Sequence, residues 1–435
     1  MIAERHRVVI TGLAVNTPLA DEPAAFLEAL LAGRSAISRW RGLDTENIEV
    51  KIGGDLSAYD IAKKVEALRT LLPPGIFRRM RKLIARVPWS NRLSLLLGAA
   101  SFLDAGAFDR ATRPDRTGVI VAGHNLNSHY DHQIRATFAR DPNFIEPLAA
   151  LHTLDTTHGS AVSEMLGLHG PLLSAGGACA SGNLALRIAV DEIRHHGAEA
   201  MLVLGPVLDF SPVELQSLAM MGALSCASFN DEPERASRPF DLRREGFVAA
   251  HGGGALFVES LESALRRGAR IYAEVLGAEA SSDANYRTNA SEDGQVLLIA
   301  RLLEVCGIAP EQVDYVNAHA TSTPSGDLSE VRALKRVFGD HAKHLRVNAT
   351  KSMLGHTCWS AAVVELVAVL LQMRAGRLHP TINLEQPDAD ADLDFCVHGA
   401  VNHAPRVALK NAFGFGGINC VSLLQSPAAA GIPTA

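Results

Sequence analysis

Aromatic residues are scarce in this chain: phenylalanine, tyrosine and tryptophan make up 5% of its 435 residues. That shortage argues against a groove that stacks single-stranded nucleic acid on rings. The six cysteines, at positions 179, 226, 306, 358, 396 and 420, stand far apart with no Cys-x-x-Cys pair. A metal-binding thiolate set and a disulfide framework are therefore both unexpected, and a reducing, cytoplasmic setting fits best. Charge of one sign is missing too. Lysine and arginine number 41 against 47 aspartates and glutamates, a net charge of −6, so no general attraction to nucleic acid or an anionic membrane is expected. No window offers the ~18 uncharged apolar residues of a membrane span. The nearest, around Leu95 to Leu103, is too short. The segment Arg7 to Val15 has the basic lead of a secretory signal, but Thr11 and Gly12 break its apolar run. Its β-branched residues read as a buried first strand instead.

What remains is rich in small and apolar residues, with 36 glycines and a 47% hydrophobic content, the composition of a well-packed globular protein. Strand-like runs alternate with helical patterns along the whole chain, the α/β signature. Strands are expected at 8–13, 117–122, 200–204, 255–259, 271–276, 315–318, 345–348, 407–411 and 420–424. Helices are expected at 22–32, 90–105, 184–195, 256–267 in part, 294–306, 328–338 and 360–374. A buried strand near Arg7 and another near Arg270 each lead through a long connection and a helix to a strand ending in a polar turn. This hints at duplication, with halves 1–260 and 261–435. No linker separates them, so they should share one core. The tail 426–435 is small-residue-rich and should fray.

Four segments carry chemistry. In Ser174-Ala175-Gly176-Gly177-Ala178-Cys179-Ala180-Ser181-Gly182-Asn183 an extended small-residue run meets a helical pattern at Cys179. A sulfur at a helix N-terminus should favour thiolate over thiol. In Asn317-Ala318-His319-Ala320-Thr321-Ser322-Thr323-Pro324 a strand delivers His319 into a turn, and Asp327 and Glu330 follow in the first turn of a helix. Taken alone, His319 reads better as a satisfied core histidine and Asp327 as a helix cap. Thr350-Lys351-Ser352-Met353-Leu354-Gly355-His356-Thr357 then gives a polar approach to an apolar helix. Asn411-Ala412-Phe413-Gly414-Phe415-Gly416-Gly417-Ile418-Asn419 is a glycine-rich turn without the lysine of a phosphate loop. Close backbone approach to a substrate suits it better.

Together these motifs resemble the β-ketoacyl-acyl-carrier-protein synthases of the thiolase superfamily, specifically the elongating type II enzymes. The resemblance covers nearly the whole chain. It implies an α/β thiolase fold, five α-β-α-β-α layers from two similar halves. It also implies a catalytic set of Cys179, His319 and His356. Cys179 would hold the acyl group as a thioester, and the imidazoles would stabilise the enolate left when malonyl thioester loses carbon dioxide. Lys351 would pair with Glu330, with Asp327 also supporting the site. The backbone N–H groups of Cys179 and Phe415 would form an oxyanion hole, with Phe415 as a gate. No cofactor or metal is implied. The partners would be an acyl carrier protein, whose 4′-phosphopantetheine carries the substrates, and a second copy of the chain.

Some positions depart from the housekeeping fatty-acid enzymes: Trp359 after the His356 turn, the loop 285–289, and the segments 121–129 and 225–230. They bring the chain closer to stand-alone ketosynthase-like proteins of polyketide pathways, including those serving β-branching cassettes. Condensation is the first reading. A malonyl-carrier decarboxylase or an acyltransferase using Cys179 is the second, and a non-catalytic partner of a ketosynthase heterodimer the third. A dense basic run, Arg78, Arg79, Arg81, Lys82, Arg86 and Arg92, interrupts the acidic chain. In the family resembled, this region meets the acidic helix of the carrier protein. A solvated charged face is the plainer alternative.

Overall fold

The computed structural model describes residues 7–108, 112–286 and 290–433. Ten strands form its large sheet: β1 (Val8–Asn16), β2 (Thr117–Ala122), β3 (Leu172–Ala175), β4 (Ala200–Gly205), β5 (Gly253–Ser260), β6 (Ala273–Ser282), β7 (Tyr315–Asn317), β8 (Arg346–Asn348), β9 (Val407–Gly414) and β10 (Ile418–Gln425). Their spatial order is β8-β7-β9-β10-β6-β1-β5-β4-β2-β3. Counted outward from the centre, each side reads first, fifth, fourth, second and third strand of its own half. The two halves meet where β1 and β6 pair antiparallel, Val8 opposite Val275 and Ile10 opposite Ala273. In each half the second strand pairs parallel with the third and fourth. The hinted duplication is thus visible as topology.

Six helices complete the layers: α1 (Trp89–Asp104), α2 (Thr156–Leu166), α3 (Ser181–His195), α4 (Glu292–Cys306), α5 (Pro324–Phe338) and α6 (Ala361–Ala375). Alternation along the strands decides which face each residue meets. Val119, Val121, Leu202 and Leu204 turn outward onto α1 and α2, while Ile120, Ala122, Met201 and Val203 turn inward onto α3 and α6. In the second half Leu409 and Leu423 face α4 and α5, and Ala408 and Leu424 face the inner layer. Helix, sheet, helix, sheet, helix is the result. The inner helices approach closely at Gly182, where an added Cβ would lie 2.7 Å from the Val363 nitrogen.

The expected strands and helices are present, with ends shifted by a few residues. Not foreseen were β3, the helices Pro74–Ile84 and Ser128–Arg140, and α2. The tail behaves differently from expectation: Ile432 is buried against Val9, Leu261 and Ala264, and Ser426 N–H donates to the Arg406 carbonyl. The longest apolar helical stretch is also elsewhere than expected. Among the described residues one helical stretch, Cys358–Ala375, is long and apolar enough to cross a membrane, and 83% of it is buried inside the protein. Of the loop 285–289, residues 287–289 lie outside the described residues.

Candidate active site

The strand β3 runs through Gly176 and Gly177 into a single 3₁₀ turn, Ala178–Ala180, that opens directly into α3. The Ser181 hydroxyl clamps this turn, donating to the Ala178 carbonyl at 2.6 Å and accepting from Gly177 N–H at 2.9 Å. Ala178 has a φ of 46°, a left-handed conformation that costs a non-glycine residue roughly 1–2 kcal/mol. The turn therefore fixes the next residue, Cys179, at a helix start, as the sequence predicted. Its sulfur and one ring nitrogen each of His319 and His356 all lie within 4.8 Å of one another.

Burial of the sulfur works against the expected thiolate. Burial pushes the Cys179 thiol up to about 11, and the opposing pull of Lys351 and of the backbone N–H groups of Phe415 and Cys179 itself is weaker. Those two N–H groups nonetheless face the sulfur, as the expected oxyanion donors should.

His319 leaves β7 with its backbone gripped on both sides. Its N–H donates to Glu330 Oε1 at 2.8 Å, and its carbonyl accepts from Lys351 Nζ at 2.6 Å. Lys351 Nζ also lies 3.5 Å from His319 Nδ1, so Nδ1 is the accepting nitrogen and Nε2 carries the proton. His356 reaches the same tautomer by another route, its Nδ1 accepting from Cys358 N–H at 3.1 Å. Its Nε2 is buried and has no protein partner. The two rings stand 5.6 Å apart at 82°. Burial first, then the Lys351 and Lys410 cations, hold both imidazoles well below their ordinary pKa. Both are neutral N–H donors at physiological pH.

The pairing of Lys351 differs from expectation. Its ammonium meets Glu365 Oε1 at 2.6 Å, in the middle of α6. Glu330 instead takes the N–H groups of His319 and Ala320 and the Asn411 side chain. Glu365 lies fourteen residues from Lys351 inside an apolar helix, and only the fold brings it back. Asp327, at the start of α5, accepts from Phe240 N–H and Ser322 N–H at 2.9 and 3.1 Å, and burial raises it to about 7. It braces the loop after His319 and does not reach the sulfur.

A cavity of about 150 Å³ opens over the three residues, lined by Cys179, His319, His356, Phe247, Thr321, Thr323, Phe413 and Phe415 among others. Phe415 stands 6.3 Å from the Phe247 ring. The glycine-rich turn needs its first glycine: a Cβ on Gly414 would lie 2.8 Å from the Gly177 carbonyl, against the nucleophile turn. Thr321, Thr323 and Phe247 were not singled out from the sequence. The first two lie inside the His319 motif, and Phe247 lies in the segment Glu245-Gly246-Phe247-Val248, which shares in the resemblance without a role given to the ring. Trp359 turns away from this cavity and stacks on His124, ring centres 4.6 Å apart. A Cys-His-His set could hold a metal ion, yet two lysine cations behind it suit a developing anion better.

Four of the basic residues lie on the helix Pro74–Ile84. Arg78, Arg81 and Lys82 are exposed, and Arg79 donates to the Met165 carbonyl at 2.8 Å. None of them lines the cavity.

Comparison with known proteins matches this architecture. The description "Beta-ketoacyl synthase, N-terminal domain" fits residues 5–264, and "Beta-ketoacyl synthase, C-terminal domain" fits residues 272–385. The 3-oxoacyl-[acyl-carrier-protein] synthase 2 of Coxiella burnetii is 36% identical over 97% of this chain and 99% of its own length. The polyketide biosynthesis malonyl-ACP decarboxylase PksF of Bacillus subtilis is 30% identical over 96% of both chains. Among solved structures, a beta-ketoacyl synthase from Burkholderia phymatum superposes with a TM-score of 0.86 at 27% identity, covering 97% of this chain and 99% of that one. A type II polyketide ketosynthase solved with its acyl-carrier protein superposes at 0.83 and 28%, with the same coverage. The chain belongs to the beta-ketoacyl synthase family of acyl-transferring condensing enzymes and has their five-layered thiolase fold.

Proposed function

We propose that this protein condenses an acyl group held on Cys179 with malonyl-acyl carrier protein, releasing carbon dioxide. The observation that carries this reading is the pair of neutral Nε2–H donors, His319 and His356, beside a buried thiol. In the first step the sulfur attacks the acyl thioester, a new C–S bond forms, and the pantetheine sulfur leaves with the thiol's proton. A thiol at about 11 gives up that proton during attack, not before it. The backbone N–H groups of Cys179 and Phe415 receive the oxyanion. In the second step malonyl thioester loses carbon dioxide, and the electron pair of the broken C–C bond becomes an enolate held by the two imidazoles. That pair attacks the acyl carbonyl, and the sulfur of Cys179 departs and is reprotonated. No cofactor enters these steps.

Decarboxylation alone is the second reading, favoured by the similarity to the Bacillus subtilis decarboxylase. It uses the histidines without the sulfur. Purified protein with malonyl-carrier protein, with and without an acyl-carrier donor, separates the two. Condensation gives a β-ketoacyl product, decarboxylation gives only acetyl-carrier protein, and a silent subunit gives neither.

The same reading makes the protein a cytoplasmic homodimer divided near residue 260. Among the described residues strand β3 is a sheet edge that pairs only with β2, its Leu172 and Leu173 exposed, and Phe138, Phe144, Leu148, Leu151 and Leu154 add exposed apolar surface nearby in the chain. A second copy would cover such a face. Exposed Arg78, Arg81 and Lys82 suit an acidic carrier. Arg78→Glu with Arg81→Glu should raise KM for carrier-bound substrate but not for a free pantetheine thioester.

A further inference from the structure

We propose that Lys410, fully buried on β9, is a positioning residue that fixes His319 from both sides and keeps the two imidazoles as neutral donors. The inference rests on the functional reading above, but its geometry stands apart from it. Lys410 Nζ forms an ion pair with Glu365 Oε2 at 2.8 Å, while Glu365 Oε1 holds Lys351 at 2.6 Å. One carboxylate therefore bridges two ammonium groups, all three 0–3% exposed. Lys351 then donates to the His319 carbonyl at 2.6 Å.

A second path leaves the same lysine. Its ammonium also donates to the Asn411 carbonyl, and the Asn411 side chain donates to Glu330 Oε1 at 2.9 Å. Glu330 takes the N–H groups of His319 and Ala320, each at 2.8 Å. The two paths close a ring whose far point is the His319 backbone. Meanwhile the Lys410 carbonyl accepts from Asn183 at 3.0 Å, on the helix that begins just beyond Cys179. Lys410 thus joins the nucleophile's helix, the glycine-rich strand and the histidine turn.

Its charge matters as much as its bonds. The charged or titratable groups around His319 are Lys351, Lys410, Glu365, Glu330, Asp327, His356 and Cys179. Lys351 and Lys410 balance Glu365 and Glu330; without Lys410 these groups would carry one net negative charge, which would favour an imidazolium beside them. A buried cation disfavours an imidazolium nearby and favours an enolate.

The test compares wild type with Lys410→Met and Lys410→Arg. The direct readout is the NMR titration of the His319 and His356 rings, assigned with single His→Gln variants. In Lys410→Met both midpoints should rise toward the ordinary histidine range, and in Lys410→Arg they should stay where wild type has them. Turnover of malonyl-carrier protein by Lys410→Met should fall about tenfold at pH 6 relative to wild type. At pH 8 the loss should be smaller, with KM for the carrier substrate unchanged at both. Unmoved midpoints with a lowered Tm would overturn the proposal and leave Lys410 a structural residue. Should Lys410→Met not fold, Lys410→Gln makes the same comparison. The NMR readout needs no turnover, so a wild type inactive on malonyl-carrier protein would refute the functional reading without touching this one.

Discussion

The two inner helices begin alike and end up with different work. Each has fifteen residues, Ser181–His195 and Ala361–Ala375, and each follows a one-turn 3₁₀ segment. Each such segment opens on a non-glycine residue with positive φ, Ala178 at 46° and Cys358 at 51°. In the first turn the next side chain is Cys179, aimed into the cavity. In the second it is Trp359, turned away to stack on His124. There the backbone is used instead: Cys358 N–H fixes the tautomer of His356. The fold supplies the same strained turn twice, once to present a sulfur and once to set a ring. The helices diverge in the same way. The fifth residue of the first is Ala185, packed in the apolar core, and that of the second is Glu365, clamped between two lysines.

The sharpest way to break this comparison is to disable each turn in its own terms. Cys179→Ala should abolish acyl loading, read by intact mass after incubation with an acyl-carrier donor, whereas Cys358→Ser should load normally. Loss of loading in both would mean the second turn also handles acyl groups. Decarboxylation should survive Cys179→Ala and fall about 10²–10³-fold in His319→Ala or His356→Ala, the usual loss for a removed oxyanion donor. Next comes the Glu365 contrast. Glu365→Gln leaves two buried ammonium groups facing a neutral amide, which should destabilise the protein by about 3–5 kcal/mol in denaturant titration. A loss below about 1 kcal/mol would show that water reaches these lysines.

A smaller effect concerns access to the thiols. Burial holds Cys179, Cys226 and Cys306 all at about 11, so exposure should set the order of alkylation. Half-buried Cys226 and Cys306 should react with iodoacetamide before Cys179 at pH 7.5, and Cys358, buried and pushed higher still, should react last. Peptide mapping reads the order directly, and a first-reacting Cys179 would mean its thiolate is stabilised more than burial opposes it. The smallest effect lies outside the inner layer. His158 is buried neutral with its pKa lowered to about 3. Its contribution to stability is present above pH 6.5 and is lost as pH falls through 3. His158→Gln should shift the acid-unfolding midpoint downward while leaving Tm at pH 8 little changed; a midpoint that stays put would assign acid unfolding to other groups.

Much of this was legible in the sequence because it is local. The strands of the central sheet announce themselves as β-branched runs, and Cys179, His319 and His356 sit in short motifs that each fold as one turn. What was missed depends on depth and distance. The N-terminus of α3 suggests a thiolate, but only the packed structure shows how deeply Cys179 lies. Lys351 seemed to have a partner in Glu330, while its actual partner Glu365 is hidden in an apolar helix, where a lone carboxylate gives no pattern. Strand β3 is four residues long with its leucines half-exposed, so alternation had too little to work on. The tail looked free by composition, yet buried Ile432 and the hydrogen bonds at Ser426 and Ala430 pin it.

Strand β3 also bears on timing. Only Gly176 and Gly177 separate this open sheet edge from the turn that holds Cys179, so whatever orders the edge orders the sulfur within a few residues. Fixing a residue's backbone costs roughly 1–2 kcal/mol of conformational entropy. Under the proposed homodimer, a second copy pairing this edge would add to the bracing that β2 and the Ser181 clamp already give the residues leading to the sulfur, and dilution would then be expected to lower turnover per subunit without altering any residue of the site.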